Sequence, residues 1–157
     1  MNVLKKVSLL CAILLLTVVA SAKGQSLGNR VRAQVPFDFS IGDKKLPSGK
    51  YSIGRVGQNS NDQVLSIDDE NGRSKALHLS IAVVTANPRA RTTLVFHRYG
   101  DQYFLYQVWL AGATTGRQFP KSRSERGIQN NLAGNPSVGK MNSNIPVDTV
   151  TITGVLQ

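Results

Sequence analysis

Residues Thr92 to Leu110, TTLVFHRYGDQYFLYQVWL, read as two strands joined by a two-residue turn, and this stretch constrains the fold more than any other. Gly100-Asp101 suits a type II′ turn, because glycine takes positive φ without a Cβ clash and the turn's twist matches that of the flanking strands. A two-residue loop fixes register. Tyr99 is then expected opposite Gln102, Arg98 opposite Tyr103, Phe96 opposite Leu105 and Leu94 opposite Gln107. One face would carry Leu94, Phe96, Arg98, Tyr103, Leu105 and Trp109. The other would carry Val95, His97, Tyr99, Phe104, Tyr106, Val108 and Leu110. Both faces are largely apolar, so the hairpin must be covered on two sides and belongs at the centre of a fold. Its aromatic cross-strand pairs contribute roughly 0.2–1 kcal/mol each, and a slip of one residue would exchange the faces.

Strand signals surround it. Val31, Ala33, Val35, Phe37, Phe39 and Ile41 alternate with polar residues, which predicts one strand over 31–41. Pro36 cannot donate a ladder bond, so that strand is expected at an edge or with a bulge there. The turn-rich GDKKLPSG leads to a strand over 50–56 with Tyr51 and Ile53 inward, and Val64–Asp68 forms another. Asp69-Glu70-Asn71-Gly72 makes a turn with Gly72 left-handed. A strand over 74–85 follows, with Leu77, Leu79, Ile81 and Val83 on one face and Ala76, His78, Ser80 and Ala82 on the other. Hairpin-like units at this spacing predict an all-β domain over 31–119, an antiparallel sandwich or partly closed barrel of about six to eight strands.

The N-terminus reads as a signal peptide over 1–22. Lys5 and Lys6 precede the apolar run Val7–Val19, and Ala20-Ser21-Ala22 supplies the cleavage pattern. The chain is therefore expected to be exported, to the periplasm or beyond. Cys11 lies inside that run, so the remaining chain has no cysteine and no disulfide. The formal net charge is +10, and +8 without Lys5 and Lys6. Such a charge draws anionic envelope components or polysaccharide. Export, with neither a basic recognition helix nor zinc-finger spacing, argues against intracellular nucleic acid.

After a leader at 23–30 and the β domain, residues 120–146 are basic, polar and expected to be partly disordered. Gly116–Phe119 adds a short strand. Ser122-Arg123-Ser124-Glu125 has capping-box spacing without a following apolar run, which predicts a turn or two of helix. Val147–Leu156 has β propensity again. It is expected either as a late strand or as a tail, and as a route to self-association through an edge.

Two sequence blocks carry a resemblance. Val35–Phe39 with Leu46-Pro47-Ser48-Gly49-Lys50-Tyr51, and Leu94–Leu105 followed by Trp109 and by Lys121–Arg126, resemble a group of small exported soil-bacterial proteins of unassigned activity. The resemblance spans roughly 31–126 and implies export without naming a chemistry. The Pro47-x-Gly49-x-Tyr51 piece is also similar to the turn and strand of prealbumin-like β-sandwich modules.

Chemistry is sparse. His78 and His97 have no local third ligand for a metal. Asp68, Asp69 and Glu70 read as a solvated turn, since paired acid/base work needs carboxyls held across a cleft. Ser48 and Ser137 lack a nucleophile elbow, and no phosphate or dinucleotide loop is present. The expected function is a non-catalytic exported protein that contacts the cell envelope or its surroundings, without a cofactor. Arg117, Lys121, Arg123 and Arg126, opposed only by Glu125, are the candidate anionic-surface contacts. The alternative is a carbohydrate or small-anion binding module built on Arg98, Tyr99, Asp101, Tyr103 and Trp109, where cation and ring can hold a ligand. A cryptic hydrolase is a distant third, and it requires a pocket that gathers His97 or His78 with a carboxylate.

Overall fold

A computed structural model describes residues 30–56, 63–133 and 148–156. Residues 1–29, 57–62, 134–147 and 157 lie outside the described residues, and with them the expected signal peptide and all of the expected leader but Arg30. The strands are β1 (Val31–Val35), β2 (Phe39–Ile41), β3 (Lys44–Leu46), β4 (Gly49–Arg55), β5 (Val64–Asp69), β6 (Ser74–Leu79), β7 (Ile81–Val84), β8 (Thr93–Tyr99), β9 (Gln102–Trp109), β10 (Thr115–Gln118), β11 (Asp148–Thr153) and β12 (Val155–Leu156), with one helix, α1 (Arg123–Ala133). They form an all-β sandwich. One sheet runs β12-β1-β4-β5-β6 and the other β11-β8-β9-β10-β7, with β2 beside β9 and β3 beside β2. Val31, Val35, Ile53, Ile67, Leu94 and Phe96 are all but fully buried between the sheets.

The strand number exceeds expectation because three stretches that look continuous in sequence cross between sheets, and because the turn-rich GDKKLPSG connection contains β3, which pairs with β2. The 31–41 stretch breaks at Pro36. Val31–Val35 pairs with β4 in one sheet, and Phe39–Ile41 pairs with β3 and β9 in the other. Pro36 therefore marks a corner, where its missing N–H costs no ladder bond. The 74–85 stretch turns at Ser80, whose N–H and Oγ both donate to the Gln63 carbonyl, at 2.7 and 2.9 Å. Residues 148–156 turn at Gly154, where a Cβ would lie 2.9 Å from the Arg32 carbonyl oxygen. They pair with β8 and then with β1 of their own chain.

The β8–β9 hairpin keeps the expected register from Tyr99–Gln102 to Phe96–Leu105, and Gly100 takes φ +61°. Beyond that the register shifts. Val95 opposes Gln107 and Leu94 opposes Val108, which leaves Tyr106 without a counterpart. A bulge of one residue reverses the alternation beyond it. Val108 consequently joins Leu94, Phe96 and Leu105 in the core, correcting the face assigned to it from sequence. Trp109 turns to the other face, with Arg89 4.4 Å above its ring and its Nε1–H donating to Gln107 at 2.9 Å.

Gly116 on β10 lies against that ring, and a Cβ there would sit 2.6 Å from Trp109. With Trp109 only 3% exposed, Gly116→Ala should destabilise the domain by roughly 1–3 kcal/mol through overpacking. Denaturant midpoints read the loss. The control is Gly127→Ala, at an open helical position.

Helix α1 is longer than the turn or two expected. The Glu125 N–H donates to Ser122 Oγ at 3.0 Å, so Ser122 caps the first turn. The anchor that lets an apolar-poor sequence hold three turns is the Glu125 side chain, which the sheet takes in.

Candidate functional site

Helix α1 meets the outer face of the β8–β9 sheet at one buried polar cluster. In a capping box the glutamate reaches back to the N-cap amide. Here Glu125 instead points into the sheet, 4% exposed, and its Oε1 lies 2.7 Å from His97 Nδ1 and 3.2 Å from the Tyr99 hydroxyl. Both groups donate to the carboxylate. The bulged Tyr106 stacks on the His97 imidazole, with centroids 3.8 Å apart. Burial, and then the Glu125 charge, push the Tyr99 phenol up to about 12. No buried side-chain nitrogen or oxygen among the described residues lacks a partner.

This cluster gathers the histidine and carboxylate that a hydrolase would need, yet His97 is only 8% exposed and its ring is covered by Tyr106. A carboxylate on Nδ1 orients a histidine in many catalytic and metal sites. Here it fixes a helix to a sheet. His78 sits apart, with Phe119 across from it at 6.1 Å. Among the described residues no three His, Cys, Asp or Glu side chains form a group that could hold a metal ion.

Burying Glu125 changes what the helix shows to solvent. Arg123 and Arg126 are exposed, and Arg126 donates to the Lys121 carbonyl at 2.9 Å. Lys121 is half-buried and donates to Gln129 Oε1 at 3.0 Å. The carboxylate expected to oppose these three cations faces the other way, and the nearest acid to the first turn is Asp43, 3.5 Å from the Ser124 N–H and hydroxyl. Arg117 lies on β10 instead, with Nε donating to Ser80 Oγ at 3.1 Å.

Family models, curated proteins and solved structures give no match to this chain.

The hairpin-tip residues are split by the fold. Trp109 sits at the far end of β9 under Arg89, and Tyr99 is buried on Glu125. Arg98, Asp101 and Tyr103 remain at the tip. Phe37 stacks on one face of Tyr103, with centroids 3.9 Å apart, and the Arg98 guanidinium lies over the ring at 5.7 Å, which leaves it only the opposite face. Beside them is a 370 Å³ hollow that includes Asp38, Lys45, Asp101 and Tyr103. That is near the lower end of the ~300–1,000 Å³ of small-molecule sites. Stacking a sugar on Tyr103 would nonetheless require displacing Arg98.

The remaining acids and motif residues hold the frame. Lys75, 2.9 Å away, followed by the Arg73 and Asn71 amides, keeps Asp69 below the ordinary carboxylate range. Asp68 pairs with Arg30, and Glu70 with Lys50 at 3.0 Å. Asp38 of VPFDF accepts the Ser48 N–H at 2.7 Å, and the Tyr51 hydroxyl donates to the Pro47 carbonyl at 2.7 Å. The two halves of that motif are thereby tied together. Sequence reasoning missed two partnerships, Glu125 with His97 and Phe37 with Tyr103. The S-x-x-E spacing placed Glu125 correctly in the first helical turn, but nothing local gave the direction of its carboxylate.

Proposed function

We propose that this is a non-catalytic exported protein that attaches to an anionic surface of the cell envelope through the outward face of α1. The observation that carries the reading is the burial of Glu125 on His97 and Tyr99. It removes the one acid within the Lys121–Arg126 run from the surface and leaves Arg123 and Arg126 pointing to solvent. Cations presented on a fixed element, rather than on a solvated tail, act together on an extended negative surface. The Tyr106–His97 stack and the Ser122 cap support the same reading, since they hold that face in place.

The test is retention of residues 23–157 on anionic vesicles and on an acidic polysaccharide, across a salt series. Arg123→Glu with Arg126→Glu should weaken retention at low salt by at least roughly thirtyfold, from about 1 kcal/mol for each arginine lost near such a surface. The dependence should flatten as salt shortens the screening length. Retention that ignores both salt and these substitutions would overturn the reading.

A further inference from the structure

The 74–85 stretch contains the most exposed apolar side chains that the sequence placed in a patterned strand. Leu77 is 59% exposed, Leu79 62% and Ile81 54%. The strand register explains this. Ala76 and His78 oppose Ile67 and Leu65, which are core residues, so Leu77 and Leu79 fall on the outer face beside Ser66 and Val64. After the corner at Ser80 the chain enters the other sheet, where Ile81 opposes Gln118 and Val83 opposes Gly116, on that sheet's outer face beside Gln107 and Trp109. The apolar side chains therefore wrap one side of the sandwich, from one outer face round to the other. Both β6 and β7 end their sheets. β7 has no charge or proline of the kind that guards an edge strand, and the one Lys of β6, Lys75, is held on Asp69 at 2.9 Å.

This rim adjoins the basic helix. Asp43, which holds the Ser124 amide and hydroxyl, lines one concave surface with Lys44, Lys75, Leu77 and His78. Arg123 lies next to Ser124, and Lys44 is exposed. An apolar rim flanked by cations matches a surface that is negative outside and apolar beneath. Residues 23–157, of net charge +8 without Lys5 and Lys6, are attracted to such a surface and repelled by their own copy.

We infer that the anionic surface is a lipid bilayer, and that Leu77, Leu79 and Ile81 enter its headgroup–acyl boundary while Lys44, Arg123 and Arg126 face the lipid phosphates. This rests on the proposed function and names its ligand. Apolar burial combined with attraction to anionic lipid is the ordinary basis of interfacial binding.

The test uses residues 23–157, which contain every described residue and lack the Val7–Val19 run that would itself partition into lipid. Probes are vesicles of phosphatidylcholine, equimolar phosphatidylcholine–phosphatidylglycerol vesicles, and dextran sulfate. Leu77→Ser with Leu79→Ser should weaken binding to the phosphatidylglycerol vesicles at least about tenfold, ~1.4 kcal/mol, and leave dextran sulfate retention unchanged. Melting curves check that the double variant folds. Residues 23–157 contain no cysteine, so Leu79→Cys carries a single environment-sensitive label. Its emission should shift to the blue on the phosphatidylglycerol vesicles alone. An unshifted label with full vesicle binding by the double variant overturns the inference and leaves the basic-surface reading standing. Binding to neither vesicles nor dextran sulfate overturns both. A concentration-dependent dimer lost in the double variant would show that a second copy covers the rim, and overturns the lipid assignment.

Discussion

Glu125→Ala is expected to destabilise the domain by about 2–6 kcal/mol, from roughly 1–3 kcal/mol for each of two buried donors left without an acceptor. The side chain is 4% exposed and accepts hydrogen bonds from His97 and Tyr99 at once. Truncation leaves both donors buried without an acceptor and opens a gap beneath the helix. Glu125→Gln keeps the shape and one acceptor oxygen, so its loss should be smaller. Equilibrium denaturation of the three proteins decides it, and equal stability of all three would remove the cluster from any account of how α1 is held. The phenol gives a second readout. With the Tyr99 proton held on to about 12 in the fold and lost near 10 in the unfolded chain, its contribution is complete below pH ~10. It disappears as pH rises through about 12, because the unfolded state gives up the proton first. Absorbance titration of tyrosinate should show a late-titrating fraction, to which Tyr51 also contributes because burial raises it, and Glu125→Gln should bring the Tyr99 share earlier.

Phe96→Ala should cost about 3–5 kcal/mol, as large-to-small changes of buried aromatics do. Phe96 is 0% exposed, and the rings of Phe37 and Phe39 meet it edge to face at 5.2 and 5.4 Å. Those two residues follow directly on the corner at Pro36, so the cavity would open where the chain passes from one sheet to the other. A midpoint within experimental error of wild type would mean that this corner repacks freely. A loss at the upper end, with an unchanged denaturant slope, would mean that it is rigid.

Much of the β framework was legible because alternation survives a corner. Val31, Val35, Phe39 and Ile41 are buried as the period predicts, although the strand that carries them is broken at Pro36. Alternation does not say which face is inside. Leu77, Leu79 and Ile81 were readable as one face, but Ile67 and Leu65 decide that this face looks outward. The bulge at Tyr106 was illegible for a different reason. One unpaired residue leaves no mark in a run whose two faces are both apolar, so Val108 and Trp109 were assigned to the wrong faces. The candidate site was legible only in its parts. Lys121, Arg123 and Arg126 could be named from sequence, whereas the withdrawal of Glu125 from their side depends on His97, 28 residues before it.

The pairing of β12 with β1 sets an order of events. Val31 and Arg32 find their partners in Leu156 and Val155, and β8, central to the aromatic hairpin, gains its second neighbour only from β11. Without residues 148–156, β1 and β8 each lack a neighbour. Closure of so long a loop is slow compared with local pairing. Both sheets therefore keep an open edge, at β1 and at β8, until residues 148–156 pair with them.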